Sequence, residues 1–399
     1  MARRVWMMVV ALGLLLRPAL AAENQPAARA EIGKPVQQAQ ALIRQRKYAE
    51  ALQELKRADA VGNKSPYETY VIEESRAAAM AGAADYPGAI KALEAVLATH
   101  FLPPADALKR LETIVRLDYQ IKDYPKTVDA AARYYKDGGA DPEPRQLMAQ
   151  SYYLDKDYAD AAKTLRDLLA KGPPDETLLL TLANSELQLK DEAGYVDALE
   201  RLVEAHPKRD YWVDLCRAVA QKPGFAPRLT LDLDRIEVAA GAMTASDQYV
   251  EAAELALEDG FPGDAATFLA KGNEAGILGT GAGADRQKRL AGMAKTQSDT
   301  DQKGLAQQQK EAQGAKTGIA EEKLGEAYLS YGRYPEAIAA LEGSLAKGGL
   351  DHPDDARLHL GIAYLRGGQS QKAQATLDPI KGTDGDADLA RLWLITGNK

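Results

Sequence analysis

A tyrosine recurs along this chain with a small residue three positions after it. The pairs are Tyr48/Ala51, Tyr86/Ala89, Tyr124/Thr127, Tyr158/Ala161 and Tyr195/Ala198, and the tyrosines are spaced by 38, 38, 34 and 37 residues. The clearest copy is LGEAYLSYGRYPEAIAAL at 324–341. There Leu324, Gly325 and Tyr328 fall on one helical face, and Gly332 breaks the helix. Tyr334-Pro335 opens a second helix, whose Ala337, Leu341 and Leu345 repeat at the four-residue spacing of a buried stripe. From Tyr195 to Tyr334 is 139 residues, or four further steps of about 35, which leaves room for three degenerate copies. Gly361, Tyr364 and Ala373 form another copy at a step of 36. A fixed period constrains the fold strongly, because each short unit can bury its apolar face only against its neighbours. Gly or Ala on the first helix and Ala early in the second let the two backbones approach closely. Asp85, Asp123 and Asp157 are placed as N-caps, and Pro87, Pro125 and Pro335 suit the first helical turn.

Two helices in each period of 34–38 residues resemble the tetratricopeptide repeat. The matching residues are Leu324-Gly325, Tyr328, Gly332, Tyr334, Ala337 and Leu341, and then Leu360-Gly361, Tyr364, Ala373 and Leu377. The resemblance implies an all-α, right-handed solenoid of about ten antiparallel helix pairs. ADLARLWLIT at 387–396 reads as the closing helix that shields the last pair. An ordinary helical bundle is the alternative, and it would need no fixed period.

Residues 1–21 have the form of an export signal. Arg3 and Arg4 form the positive end, Val5 to Leu16 the apolar run, and Ala19-Leu20-Ala21 the cleavage pattern before Ala22. Twelve apolar residues are too few to span a bilayer, and no Cys follows the cleavage site to carry a lipid. The expectation is a periplasmic protein without membrane insertion after signal cleavage. Its one cysteine, Cys216, lies four residues after Trp212 on the same helical face and reads as a buried structural thiol.

The sequence then reads in three parts. Residues 22–205 hold about five helix pairs, with second helices near 48–58, 86–97, 124–135, 158–169 and 195–204. Residues 206–317 are divergent. Two pairs are expected before GILGTGAGAD, a glycine-rich flexible loop and candidate hinge. RQKRLAGMAK and DQKGLAQQQKEAQ are expected to form an eighth, weakly apolar pair after it. Residues 318–399 carry the two best-formed pairs and the closing helix.

Charge and motifs narrow the function. The net charge is −8, and removing 1–21, with three Arg and no acid, leaves 47 basic against 58 acidic residues, or −11. That balance argues against nucleic acid as a partner. The four histidines show no metal spacing, and the chain holds no Gly-x-Ser-x-Gly and no Gly-Lys-Ser/Thr phosphate loop. No enzymatic activity, cofactor or metal is expected.

The expectation is a scaffold for another protein or peptide segment. In tetratricopeptide arrays the first helices line a concave groove, so the resemblance points to Lys109, Glu112, Arg116 and Tyr119 of the third pair. Glu143, Gln146, Gln150 and Tyr153 follow from the fourth. In the C-terminal pairs the groove positions are Glu322, Glu326 and Leu329, then Leu358, Ile362 and Leu365. HPKRDYW at 206–212 and the Gly-Phe-Pro-x-x-Ala stretch at 260–265 are also similar to periplasmic tetratricopeptide components of TonB–ExbB–ExbD-type systems. That resemblance implies an accessory role in outer-membrane transport. The alternatives are a scaffold for cell-envelope or exopolysaccharide assembly and the repeat domain of an envelope enzyme.

Overall fold

The computed structural model describes residues 27–281 and 283–397. The export signal expected over 1–21 lies outside them. Among the described residues all regular structure is helical, and no helix is long and apolar enough to cross a membrane. The chain divides into two compact units, the first ending at Gly172 and the second starting at Pro173. The division falls in the Gly172-Pro173-Pro174 turn, one pair ahead of the boundary expected near 205.

The first unit is four consecutive helix pairs. They are α1 (Ala30–Arg44) with α2 (Tyr48–Asp59), α3 (Pro66–Gly82) with α4 (Tyr86–Ala98), α5 (Pro104–Gln120) with α6 (Tyr124–Lys136), and α7 (Glu143–Leu154) with α8 (Tyr158–Leu169). Each pair packs on the next through α2–α3, α4–α5 and α6–α7. Local chemistry sets the turns. Ala84, Lys122 and Lys156 take positive φ of 60°, 63° and 67°, and an aspartate follows each. The Asp85 carboxylate accepts the Gly88 N–H at 3.0 Å, and Asp123 and Asp157 cap α6 and α8 in the same way. At α3, Ser65 accepts the Glu68 N–H while Glu68 accepts the Ser65 N–H, a complete capping box.

The small residue after each tyrosine is where the helices meet. Ala51, Ala89, Thr127 and Ala161 are all fully buried, as are Ala198, Ala337 and Ala373 in the second unit. The tyrosine itself joins one pair to the next. Tyr48 lies over the end of α3 so closely that a Cβ on Gly82 would stand 2.3 Å from Tyr48 Cε1.

The second unit contains α9 (Glu176–Leu189), α10 (Glu192–Ala205), α11 (Arg209–Ala220), α12 (Thr230–Ala240), α13 (Ser246–Glu258) and α14 (Pro262–Glu274). It continues through α15 (Ala284–Gly314), α16 (Ile319–Ser330), α17 (Tyr334–Lys347), α18 (Pro353–Arg366), α19 (Ser370–Leu377) and α20 (Asp386–Gly397). The steric argument for small residues holds here in detail. A Cβ on Gly325 would lie 2.5 Å from Leu341 Cγ, and one on Gly361 would lie 2.4 Å from Leu377 Cγ. Both glycines let a second helix lie directly on the first. Cys216 is fully buried, and that burial raises its thiol pKa well above the ordinary value.

Three features depart from the expected pattern. First, α10 begins at Glu192 rather than Tyr195. Lys190 takes the left-handed turn at φ 58°, and Asp191 caps the Gly194 N–H at 2.9 Å, so the extra residues form a helical turn.

Second, 284–314 is one helix of 31 residues, not a pair. The TQSDT stretch at 296–300 holds neither Gly nor Pro, and Lys295 pairs with Asp299 one turn on at 3.1 Å. Leu290, Ala294, Leu305 and Ala312 make its buried stripe. The glycine-rich loop before α15 is pinned in the core by Leu278, which is 4 % exposed.

Third, α20 does more than cover the last pair. It packs on α18 and α19, and also on α10 and α12, so the second unit closes on itself. Lys222 reaches Asp388 at 2.8 Å, Arg391 reaches Glu200 at 3.0 Å, and the Ala226 N–H donates to the Asp384 carbonyl at 2.7 Å.

Candidate functional site

In the first unit, α5 and α7 are neighbouring first helices. Lys109, Glu112, Arg116 and Tyr119 share one face of α5 by their spacing. Across from them α7 presents Glu143, Gln146, Gln150 and Tyr153. Arg116 donates to both carboxylate oxygens of Glu143, at 2.9 and 2.5 Å, and the Tyr119 hydroxyl donates to Gln150 Oε1 at 2.9 Å. Glu112 lies 4.0 Å from Arg116, and Lys109 pairs with Asp106 at 3.0 Å. The rings of Tyr119 and Tyr153 lean on Tyr124 and Tyr158, with centroids 6.1 and 5.6 Å apart.

Apart from exposed Lys109, these eight side chains are half-buried. Within this row Arg116–Glu143 and Tyr119–Gln150 tie the two helices together. Arg110, bonded to Glu74 of α3, extends the same kind of link to the preceding pair. Beyond it Tyr67, Tyr70 and Phe101 make an aromatic group, with Phe101 5.0 and 5.2 Å from the two tyrosine rings. The sequence reading missed that group, because Phe101 sits in a loop outside the repeat pattern.

The C-terminal candidates separate. Leu329, Leu358 and Ile362 are buried, at 9 %, 0 % and 2 % exposed, so they do not face an open groove. The reason is the closure of the unit: packing on both sides of α16 and α18 covers faces that an open array would leave to solvent. Glu322 and Glu326 instead line a cavity of about 670 Å³ within the second unit. Its walls come from α12, the α13–α14 turn, α15, α16, the α17–α18 loop and α18.

Beneath this cavity lies a buried chain of charges. Arg235 of α12 donates to Asp232 at 2.6 Å and to Asp264 of α14 at 3.1 and 2.6 Å. Asp232 in turn receives His359 Nε2 of α18, 3.1 Å from both carboxylate oxygens. His359 Nδ1 lies 3.7 Å from Glu326 Oε1. Burial alone would depress the imidazole pKa, but the Asp232 and Glu326 carboxylates outweigh it and raise His359 to about 9. Burial, reinforced by Glu326, raises Glu322 to about 7. A second cation, Arg228, is bonded to Asp355 at 2.7 and 2.9 Å and to Asp384 at 2.7 Å, with Asp386 at 3.3 Å.

Sequence reasoning did not find this network. Its one local signal is the DLDRIE segment, where Asp232 and Arg235 share a face with Leu231 and Leu233 around them. His359 stands between Leu358 and Leu360 and carries no motif. Among the described residues that line the cavity there is no Ser, Thr or Cys.

Comparison with known proteins places the repeat. The family model for the tetratricopeptide repeat matches residues 328–394. That segment includes α17, α18, α19 and most of α20, and the pairs before it are built on the same period. No curated protein matches the chain. Among solved structures, the chain is similar to the C-terminal part of a tetratricopeptide-repeat protein from Cytophaga hutchinsonii. The identity is 13 %, over 80 % of this chain and 98 % of that one, with a TM-score of 0.34. It is also similar to the TPR2AB domain of yeast Sti1 in a pHSP90 complex, at 14 % identity over 66 % and 97 %, with a TM-score of 0.26. The P58(IPK) TPR domain is a third, at 17 % identity over 86 % and 100 %, with a TM-score of 0.25.

Proposed function

We propose that the protein is a non-enzymatic scaffold that binds a segment of another polypeptide along the α5–α7 face of its first unit. The observation that carries this reading is the row of Arg116, Tyr119, Glu143 and Gln150. These side chains are half-exposed, come from two adjacent helices, and are already held by mutual hydrogen bonds. Arg and Tyr bring large contact area together with donors, and a surface whose rotamers are fixed beforehand loses less entropy on binding. The export signal read at 1–21 supports a periplasmic location. The similarity of 206–212 and 260–265 to periplasmic components of TonB–ExbB–ExbD-type systems supports an accessory role in outer-membrane transport.

Replacing Arg116, Tyr119, Gln150 and Tyr153 together by Ala is expected to abolish capture of envelope polypeptides. The far-ultraviolet circular dichroism should be unchanged, because these side chains lie outside the inter-helix core. The measurement is an affinity pull-down with wild type and the quadruple variant side by side. Recovery of the same partners by both would remove the α5–α7 face from the proposal. Turnover of a cell-wall or glycan substrate by wild type with no partner recovered would remove the scaffold reading itself.

A further inference from the structure

We propose that the cavity of the second unit is a receptor for an organic cation, an alkylammonium or guanidinium group, seated between Glu322 and Glu326 of α16 and His359 of α18. Its volume of about 670 Å³ lies in the range of small-ligand sites, about 300–1,000 Å³.

The charge of its lining is lopsided. Eight Asp and Glu side chains face Arg228, Arg235, Lys323, His352 and His359. The two arginines are committed elsewhere: Arg235 is held by Asp232 and Asp264, and Arg228 by Asp355 and Asp384. Asp301 accepts the Tyr331 hydroxyl at 2.8 Å. One turn apart on α16, Glu322 has no ion pair or hydrogen bond of this kind, and Glu326 has only the longer contact with His359. The nearest cationic group to Glu326 is His359 Nδ1 at 3.7 Å, too far for a hydrogen bond.

A second observation is independent of that acidity. The His359 side chain is only 5 % exposed and borders the cavity. Its ring is fixed by Asp232 at Nε2, and its Nδ1 has no hydrogen-bond partner. Nδ1 is thus a buried polar atom at the cavity wall with only the Glu326 carboxylate near it, at 3.7 Å, whereas buried polar atoms are nearly always hydrogen-bonded. Among the described residues no three His, Cys, Asp or Glu side chains are placed to hold a metal ion; the volume and the two adjacent carboxylates suit an organic cation.

The chemistry of the seat follows. An ammonium donates to the Glu322 and Glu326 carboxylates and to His359 Nδ1. For Nδ1 to accept, the imidazolium gives up its Nδ1 proton to solvent, so the incoming cation replaces the histidine's charge opposite Glu326. The groups facing that ring are Asp232 and Arg235 from α12, Glu322 and Glu326 from α16, and Asp264 through Arg235 from α14. Asp355 lies one turn before it on α18. Of these groups, Glu322, raised to about 7, also sheds its remaining proton beside a bound cation.

The test is calorimetry on the mature chain at pH 7.5 with cadaverine, agmatine and glutarate. Cadaverine or agmatine should bind while glutarate does not. The proton released should appear as an enthalpy that differs between phosphate and Tris buffers. Glu322→Gln with Glu326→Gln, nearly isosteric changes, should weaken the amine at least tenfold while leaving the melting curve cooperative. A short neutral peptide with one central lysine distinguishes the sources: tighter binding than cadaverine makes the cation a polypeptide side chain, and weaker binding makes it a free amine. No amine binding by wild type at millimolar concentration overturns the site, and so does preferential binding of glutarate, an outcome that needs no variant. Binding without proton release overturns the role given to His359. The site uses no residue of α5 or α7, so partner capture at that face can fail while amine binding survives, and the reverse.

Discussion

The two units use the same helix-pair repeat and hold it together differently. In the first, polar links run between neighbouring first helices, such as Arg116–Glu143 and Tyr119–Gln150, 27 and 31 residues apart, and they stay half-exposed. In the second, α20 returns to α10 and α12, and ion pairs join residues 127 to 191 positions apart. The Arg235–Asp232–His359 links are buried. An open stack adds its stability pair by pair through nearest neighbours. Closure couples helices that are far apart in sequence, and it shapes a cleft lined by charged side chains. The comparison teaches that repeat architecture alone does not fix the kind of surface a unit presents, because one unit offers a face and the other a cleft.

The sharpest way to break this comparison is to remove one buried charge. Arg235→Met leaves Asp232 and Asp264 without their guanidinium, and losing one partner of a buried pair costs about 3–5 kcal/mol. Hydrogen exchange followed by mass spectrometry should show α12, α14 and α18 losing protection together while α3 to α6 keep theirs. A loss confined to α12 would mean that the second unit is additive like the first.

Solution pH gives a somewhat smaller effect with a defined sign. His359 holds its proton up to about 9, against about 6.5 in an unfolded chain. Its stabilisation is therefore fully present below about pH 6.5 and lost as pH rises through about 9, with a magnitude of about 1–3 kcal/mol. Glu322 and Asp386, both raised by burial to about 7, act in the same direction at lower pH. Trp212 and Trp393 both lie in the second unit and are buried, so urea melts followed by their fluorescence should shift to lower midpoints between pH 6.5 and 9.

The first unit should show the opposite trend. The Glu68 carboxylate is held down to about 2 by the Arg29 guanidinium and then by the Ser65 and Arg29 N–H groups. Its contribution is present above the ordinary glutamate range and is lost as pH falls through about 2, which exchange in peptides from 66–82 would report. A second unit that gained stability towards pH 9 would reverse the sign assigned to His359.

The smallest effect is expected from Arg116→Ala. The bond to Glu143 is bidentate but half-exposed, with Arg116 37 % and Glu143 40 % accessible. Such pairs contribute about 1 kcal/mol or less. The melting midpoint should hardly move, although partner capture should weaken. A large loss of stability would make the α5–α7 row a structural link like those of the second unit, and not a surface kept for binding.

What the sequence determined by itself is everything that repeats. The tyrosine period located the second helix of each pair in the first unit to within a residue or two. The small residues at 51, 89, 127, 161, 198 and 337 lie at the helix contacts assigned to them, because close approach of two helices is a local steric demand that each pair must meet again. Aspartate caps and first-turn prolines were legible for the same reason. That α5 and α7 lie side by side followed from the period, but the bonds Arg116–Glu143 and Tyr119–Gln150, 27 and 31 residues apart, join positions about one turn out of equivalence and were not legible in it.

Tertiary structure alone decided the rest. Nothing near Asp388 announces that Lys222 will meet it, and nothing around His359 points to Asp232, 127 residues earlier. The polar TQSDT stretch could have been a turn until α15 found packing along its whole length. Leu329 and Ile362 could have faced a groove until closure covered them. A period encodes contacts between neighbours; a ring is closed by contacts between residues that share no period, and their partners exist only once the chain has folded.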